Sequence, residues 1–143
     1  MKKSPFDKIS SPMYDLPMKF PTKVRYSLRL LIEIKNSNKP ITLREVSEKT
    51  HISENYLKQL AAKLEKEKVI KGKKGPNGGY TILNPDFTLK ELIDIFTGGV
   101  KLAPCMDDDY RCELMDICKA RDIWSQLNKD IDKLFLSVKL KDF

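Results

Sequence analysis

This 143-residue chain has only three cysteines and one histidine. All three cysteines, Cys105, Cys112 and Cys118, fall in one short stretch, "APCMDDDYRCELMDICKARDIW". An odd count confined to one segment does not read as a disulfide framework. A zinc site would need a fourth nitrogen or sulfur ligand, and none lies nearby in sequence. The lone histidine, His51, reads as a structural or phosphate-facing residue, and no catalytic constellation points to an enzyme. No apolar run approaches the ~18 residues needed to cross a bilayer. The N-terminal "MKKSPFDKISSPMYDLP" lacks the apolar core of a secretory signal. The expected compartment is therefore the cytoplasm, where structural disulfides are rare. There is no internal repeat.

What remains is a chain with 41% hydrophobic and 33% charged residues, suited to one packed, soluble domain, alone or with a docking element. Its net charge of +7 is unevenly spread. Residues 18–83 hold 15 Lys/Arg against 6 Asp/Glu, whereas residues 84–118 hold 3 against 8. A basic block followed by an acidic one suggests that the first faces a polyanion and the second does not. A plain lysine-rich solvated surface is the competing reading.

Residues 1–17, with Pro5, Pro12 and Pro17, read as an extended arm. A helix is expected from near Pro21, because proline suits a first helical position; Val24, Leu28, Leu31 and Ile32 form its apolar stripe. Thr42 and Glu45 stand in capping-box register for a second helix. Ser53 caps a third, whose inner face is Leu57, Leu60, Ala61 and Leu64. Two short helices across a tight turn make a helix-turn-helix. Val69 and Ile70 then open one strand, and Tyr80, Ile82 and Leu83 lie on a second. Between them "GPNGG" supplies residues that tolerate positive φ. Thr88 and Glu91 cap a short connecting helix within residues 84–101, stopped by Gly98 and Gly99. A long helix over residues 117–140 places Ile117, Ala120, Trp124, Leu127, Ile131, Leu134 and Val138 on one heptad seam. A domain this small can hardly cover so long a seam, which favours pairing with a second copy over packing within the chain. The expected fold is mainly α with a small β-hairpin wing: a winged helix-turn-helix domain over residues 18–83 plus a long C-terminal dimerisation helix.

In a helix-turn-helix the second helix enters the major groove. Its exposed face here carries Ser53, Asn55, Tyr56, Lys58 and Gln59. Asn55 and Gln59 can pair with adenine, and Lys58 can reach guanine or a phosphate. The wing adds Lys71, Lys73 and Lys74 beside the compact tip Gly75, Pro76, Asn77 and Gly78, a shape that can approach phosphates or a minor groove closely. Tyr26, Tyr56 and Tyr80 read as half-buried packing residues.

The segments "MKFPTKVRYSLRLL" and "ISENYLKQLAAKLEKEKVIKGKKGPNGGY", with the three-cysteine loop, resemble the Rrf-two family of bacterial winged-helix regulators from residue 18 to about 140. The resemblance implies contacts to DNA from Thr22, Lys23 and Arg25 as well as from the recognition helix and wing, and a homodimer on a palindromic operator in double-stranded DNA. It also implies an iron–sulfur cluster, 2Fe–2S or 4Fe–4S, held by Cys105, Cys112 and Cys118 in a loop over residues 102–121. Thiolates ligate iron of either cluster type. Where one cluster-binding branch of the family carries a histidine three residues past the third cysteine, this chain has Arg121, which cannot bind iron. Where some relatives place an acid near the start of the first helix, it has Arg25. Asp107, Asp108, Asp109, Glu113, Asp116, an acid of the arm (Asp7 or Asp15), a small thiol or water stay open as a fourth ligand. Lys58 stands where one branch of the family has glutamate, so a different preferred operator is expected.

The resulting expectation is a transcription regulator, acting as a repressor, with operator affinity set by the cluster. Two other readings stay open: a metal-free regulator of the same fold answering to thiol oxidation or a partner protein, and an iron–sulfur redox module with no operator of its own.

Overall fold

The computed structural model describes residues 19–143; the arm expected over residues 1–17 lies outside them. Among the described residues the elements are α1 (Thr22–Asn36), α2 (Leu43–Thr50), α3 (Glu54–Lys66), β1 (Ile70–Lys73), β2 (Gly79–Ile82), α4 (Leu89–Thr97) and α5 (Lys119–Ser137). Short 3-10 turns occur at Pro104–Met106 and Leu140–Asp142.

Local chemistry sets most of the helix ends. The Thr42 side chain accepts from the Glu45 N–H while the Glu45 carboxylate takes the Thr42 N–H, a closed capping box that holds the Glu45 carboxyl below its ordinary range. Thr88 and Glu91 repeat the arrangement for α4, and Ser53 accepts from the Tyr56 N–H to open α3. His51 ends α2 in the left-handed region at φ 58°, which makes its role conformational: it turns the chain tightly between α2 and α3.

One hydrophobic core joins α1, α2, α3, the hairpin and α4. The α1 stripe differs from expectation in detail. Val24, Leu30, Leu31 and Ile34 are buried, while Leu28 and Ile32 are half-buried at its margin. The hairpin is antiparallel, pairing Ile70 with Ile82 and Lys73 with Gly79. Leu83, expected on the second strand, lies beyond β2 and is exposed. Ile41 adds a bridge to Tyr80, with N–H···O distances of 3.2 and 2.8 Å, so the wing is fastened to the turn before α2. Gly79 makes this approach possible. It sits at φ 146°, and a Cβ there would stand 2.6 Å from the Ile41 carbonyl group; any side chain would push the wing away.

The long C-terminal helix is shorter than the expected 117–140. Cys118 has extended backbone and acts as its N-cap, and Val138 is again extended. Ile117 and Val138 therefore fall outside α5, and the unbroken seam is confined to the residues between them. The physical reason at the C-terminal end is a competing set of backbone bonds. The Leu89 N–H donates to Val138 O, Leu140 N–H to Phe87 O and Lys141 N–H to Pro85 O, at 2.9, 2.8 and 3.0 Å. Leu140 is thereby driven into the core, 2% exposed. Lys141 Nζ meets Asp86 Oδ1 at 2.7 Å, which holds the Asp86 carboxyl below and the Lys141 ammonium above their ordinary values. Stability from this pair is complete at neutral pH. It is lost as pH falls through the lowered Asp86 pKa or rises through the raised Lys141 pKa.

Leu140→Ala is expected to lower the unfolding free energy by about 2–5 kcal/mol in urea titration, the range for emptying a buried leucine site. A loss well under 1 kcal/mol would show that the C-terminal clasp is not part of the core.

Candidate nucleic-acid interface and cysteine loop

The candidate recognition surface is built on α3. Leu57, Leu60, Ala61 and Leu64 turn inward, which leaves Asn55, Lys58 and Gln59 exposed on the opposite side. Ser53 is also exposed, but its hydroxyl is committed to the Tyr56 N–H at 3.3 Å. Tyr56 is half-buried, with its ring edge-on to Tyr26 at 6.0 Å between centroids, so it joins α3 to α1. Lys58 lies 3.8 Å from Glu54, an exposed pair one helical turn apart. Such a pair is weak in water, so the lysine can leave it for a phosphate.

The wing presents Lys71, Lys73 and Lys74 to solvent, with Gly75, Pro76 and Asn77 exposed at its tip. The Gly78 N–H donates to Gly75 O at 2.9 Å and closes that tip. Glu65 on α3 accepts from the Gly72 N–H at 3.2 Å, coupling recognition helix to wing. Burial, and then the Glu65 carboxylate, push the nearby Tyr80 phenol above its ordinary value. Thr22 and Lys23 are exposed at the start of α1. Arg25 is turned back on its own helix start: its Nε donates to Phe20 O at 3.1 Å and its Nη2 to Thr22 Oγ1 at 3.2 Å.

The cysteines occupy three settings. Cys105 sits in the turn Pro104–Met106, Cys112 is exposed in the loop, and Cys118 caps α5; all three thiols are free. Among the described residues, no three His, Cys, Asp or Glu side chains form a group that could hold a metal ion. A polar cleft of about 270 Å³ lies beside Cys105; its walls include the carboxylates Asp107 and Asp108 as well as Arg111, Arg121 and Ser125. In it the Arg121 Nε is buried with no hydrogen-bond partner among the described residues. Buried donors are normally satisfied, so this N–H is free to meet an acceptor or anion in the cleft. The cysteines supply thiol sulfur of the kind that ligates iron; among the described residues only Cys105 of the three lines this cleft. Asp7 and Asp15, open as a fourth ligand, lie outside the described residues.

Two positioning residues were not singled out from sequence. Asn128 on α5 accepts from the Leu102 N–H at 3.0 Å and donates to Val100 O at 2.9 Å, pinning the start of the cysteine loop. The one available sign was a polar residue beside the apolar seam. Leu140 was the other; its sign was a leucine placed just after that seam.

The family described as "Rrf2: Iron-dependent Transcriptional regulator" matches residues 20–143. The chain belongs to the Rrf2 family. It is an Rrf2-family helix-turn-helix transcriptional regulator with a winged-helix fold. It is 27% identical over 130 residues to the HTH-type transcriptional regulator IscR of Xenorhabdus nematophila, covering 87% of this chain and 78% of that protein. The solved structure of CymR, the global cysteine regulator of Bacillus subtilis, superposes with a TM-score of 0.71 at 26% identity, covering 88% of this chain and 95% of that one. The oxidized form of Staphylococcus aureus CymR gives a TM-score of 0.66 at 25% identity, covering 87% and 94%.

Replacing Lys73 and Lys74 together by alanine is expected to flatten the salt dependence of DNA binding by up to about two units of log–log slope, roughly one for each phosphate no longer neutralised. Filter binding across a salt series reads this directly; an unchanged slope removes the wing tip from the interface.

Proposed function

We propose that this Rrf2 regulator is a homodimeric repressor that binds a palindromic operator through α3 and the wing. Its affinity is set at Cys105, Cys112 and Cys118 by an iron–sulfur cluster. The observation that carries this reading is the course of α5, which starts at Cys118 and leads directly into the clasp that buries Leu140 in the core of the DNA-binding half. A change at the loop thus has a helix to move, and that helix is fixed to the recognition unit.

The DNA-binding part follows from geometry and charge. Asn55, Lys58 and Gln59 face outward together, and the basic wing is tied to α3 through Glu65. The pairing of two copies is supported by α5, which has no fully buried residue. Its seam residues Trp124, Leu127 and Leu134 are 41%, 43% and 61% exposed, more apolar surface than a helix ordinarily leaves in water. Ala120 is exposed beside them and Ile131 half-buried. Two copies joined on that seam would set their recognition helices about one DNA turn, ~34 Å, apart.

A bound cluster supplies a group whose presence and charge answer to iron supply and redox conditions. The chain's own residues do the rest. Asn128 fixes the loop to α5, Arg121 offers its free N–H to an anionic sulfur ligand, and the clasp carries any shift of α5 to α4 and the wing. A tenfold change in operator affinity needs only about 1.4 kcal/mol of difference between the two arrangements. A metal-free thiol switch is the second reading. It is favoured by the exposed, free Cys112 and by the likeness to a regulator solved in an oxidized form.

Anaerobic purification followed by iron and sulfide assay and an absorption spectrum separates the two. The cluster reading expects brown protein, bleached by replacing any one cysteine with alanine. Colourless protein whose operator affinity still changes on thiol oxidation would establish the metal-free switch instead. Trp124→Glu is expected to yield monomers at micromolar concentration in sedimentation velocity, and a dimer unaffected by it would move the interface off the seam.

A further inference from the structure

Lys73 and Lys74 follow directly on Gly72, the third residue of β1. Glycine gives a strand its least constrained backbone, and a two-stranded hairpin is barely stable on its own. What fixes the strand at Gly72 therefore decides where the two lysines stand. β2 holds it only through the neighbouring residues. Tyr80, which faces Gly72 across the hairpin, commits both its N–H and its carbonyl to Ile41. In an antiparallel ladder such a residue and its partner form a non-hydrogen-bonded pair, so the Gly72 N–H is directed to the other edge of β1. There it donates to Glu65 Oε1, at 3.2 Å. A Cβ on Gly72 would stand 3.2 Å from that same oxygen and 3.2 Å from Tyr80 Cε1. The carboxylate and the ring thus occupy the space a side chain would take.

Glu65 is exposed and stands on α3, the helix read as entering the groove. By charge alone it is out of place beside a polyanion, since a carboxylate repels phosphates. Its hydrogen bond gives it another use. We propose that Glu65 is a positioning residue: by holding the Gly72 N–H it sets the angle of the wing to α3, so that Lys73 and Lys74 reach phosphates while Asn55 and Gln59 face base edges. This rests on the DNA-binding reading of the wing and adds what aims it. It also inverts the sign expected of an acid at such a surface: removing the carboxylate weakens DNA binding, although a like charge has gone. The role is one of orientation. An exposed hydrogen bond contributes little to stability, and alanine at position 65 suits a helix, so the fold survives its loss.

The test titrates Glu65→Ala and Glu65→Gln, each with and without Lys73→Ala/Lys74→Ala, against a duplex that the wild type selects from random-sequence DNA, across a salt series. Glu65→Ala is expected to bind about tenfold more weakly, with the log–log salt slope reduced by up to about two units as the lysines leave their phosphates. Glu65→Gln keeps a carbonyl oxygen that accepts from Gly72 and is expected to stay within about twofold of wild type. Without the two lysines, Glu65→Ala is expected to cost nothing further, because the effect runs through them. Binding by Glu65→Ala that equals or exceeds wild type overturns the proposal, as does a loss that persists in full without the lysines. In the free protein the Gly72 amide is expected to exchange about fivefold faster in Glu65→Ala, with the α3 amides unchanged; equal exchange overturns the proposal whatever the DNA shows. A wild type that selects no duplex fails the operator reading and the proposal with it, and the amide measurement tells that failure from one of Glu65 alone.

Discussion

Leu140 follows α5 in sequence but packs in the core of the DNA-binding half, among α1, Phe87 and α4. Three backbone hydrogen bonds and the Asp86–Lys141 pair hold it there. That burial is what makes one body out of two functional halves. Without it, α5 would meet the rest of the described chain through α4, through contacts such as Phe20 against Phe135, and through the Asn128 clamp on the start of the cysteine loop. With it, the helix that begins at Cys118 ends in the same packed interior that supports α3. A close-packed interior has low compressibility and transmits strain between the elements that share it.

The recognition unit is stiff for a related reason. Glu65 ties α3 to β1, Ile41 stitches β2 to the turn before α2, and Tyr26 and Tyr56 lock α3 against α1. A groove reader gains from such rigidity, because base-edge hydrogen bonds tolerate little displacement and preorganised side chains lose less entropy on binding. The lysines of the wing remain exposed, where their charge can exchange counterions for phosphates. Lys58 is the adjustable part, held only by a screened contact with Glu54.

How much of this was legible in the sequence depended on how local the cause was. Thr42–Glu45, Thr88–Glu91 and Ser53 announce their helices because a cap is made within four residues. The "GPNGG" turn announces the hairpin because few other residues accept its backbone. The α1 stripe is only partly legible: Leu30 and Ile34 are buried while Leu28 and Ile32 are half-buried, and periodicity alone does not say where neighbours sit. The helix is shorter than its seam suggests, because heptad spacing continues through Ile117 and Val138 while the backbone there lies outside α5. Val138 does so to accept from Leu89, a partner far back in the chain that no local pattern reveals. The Ile41 bridge and the Asn128 clamp were unreadable for the same reason. At the cysteines the sequence shows three thiols in one segment, and the structure adds the orphaned Arg121 N–H in the cleft beside Cys105.

A hydroxyl-radical footprint on the DNA upstream of the protein's own gene, taken anaerobically before and after iron is removed by a chelator, tests the coupling of loop to groove most directly. The account predicts two protected patches on one face of the duplex, about one helical turn apart, whose half-saturating protein concentration shifts by about tenfold on chelation. Protection that is absent on every promoter fragment, or that is the same with and without iron, would contradict it.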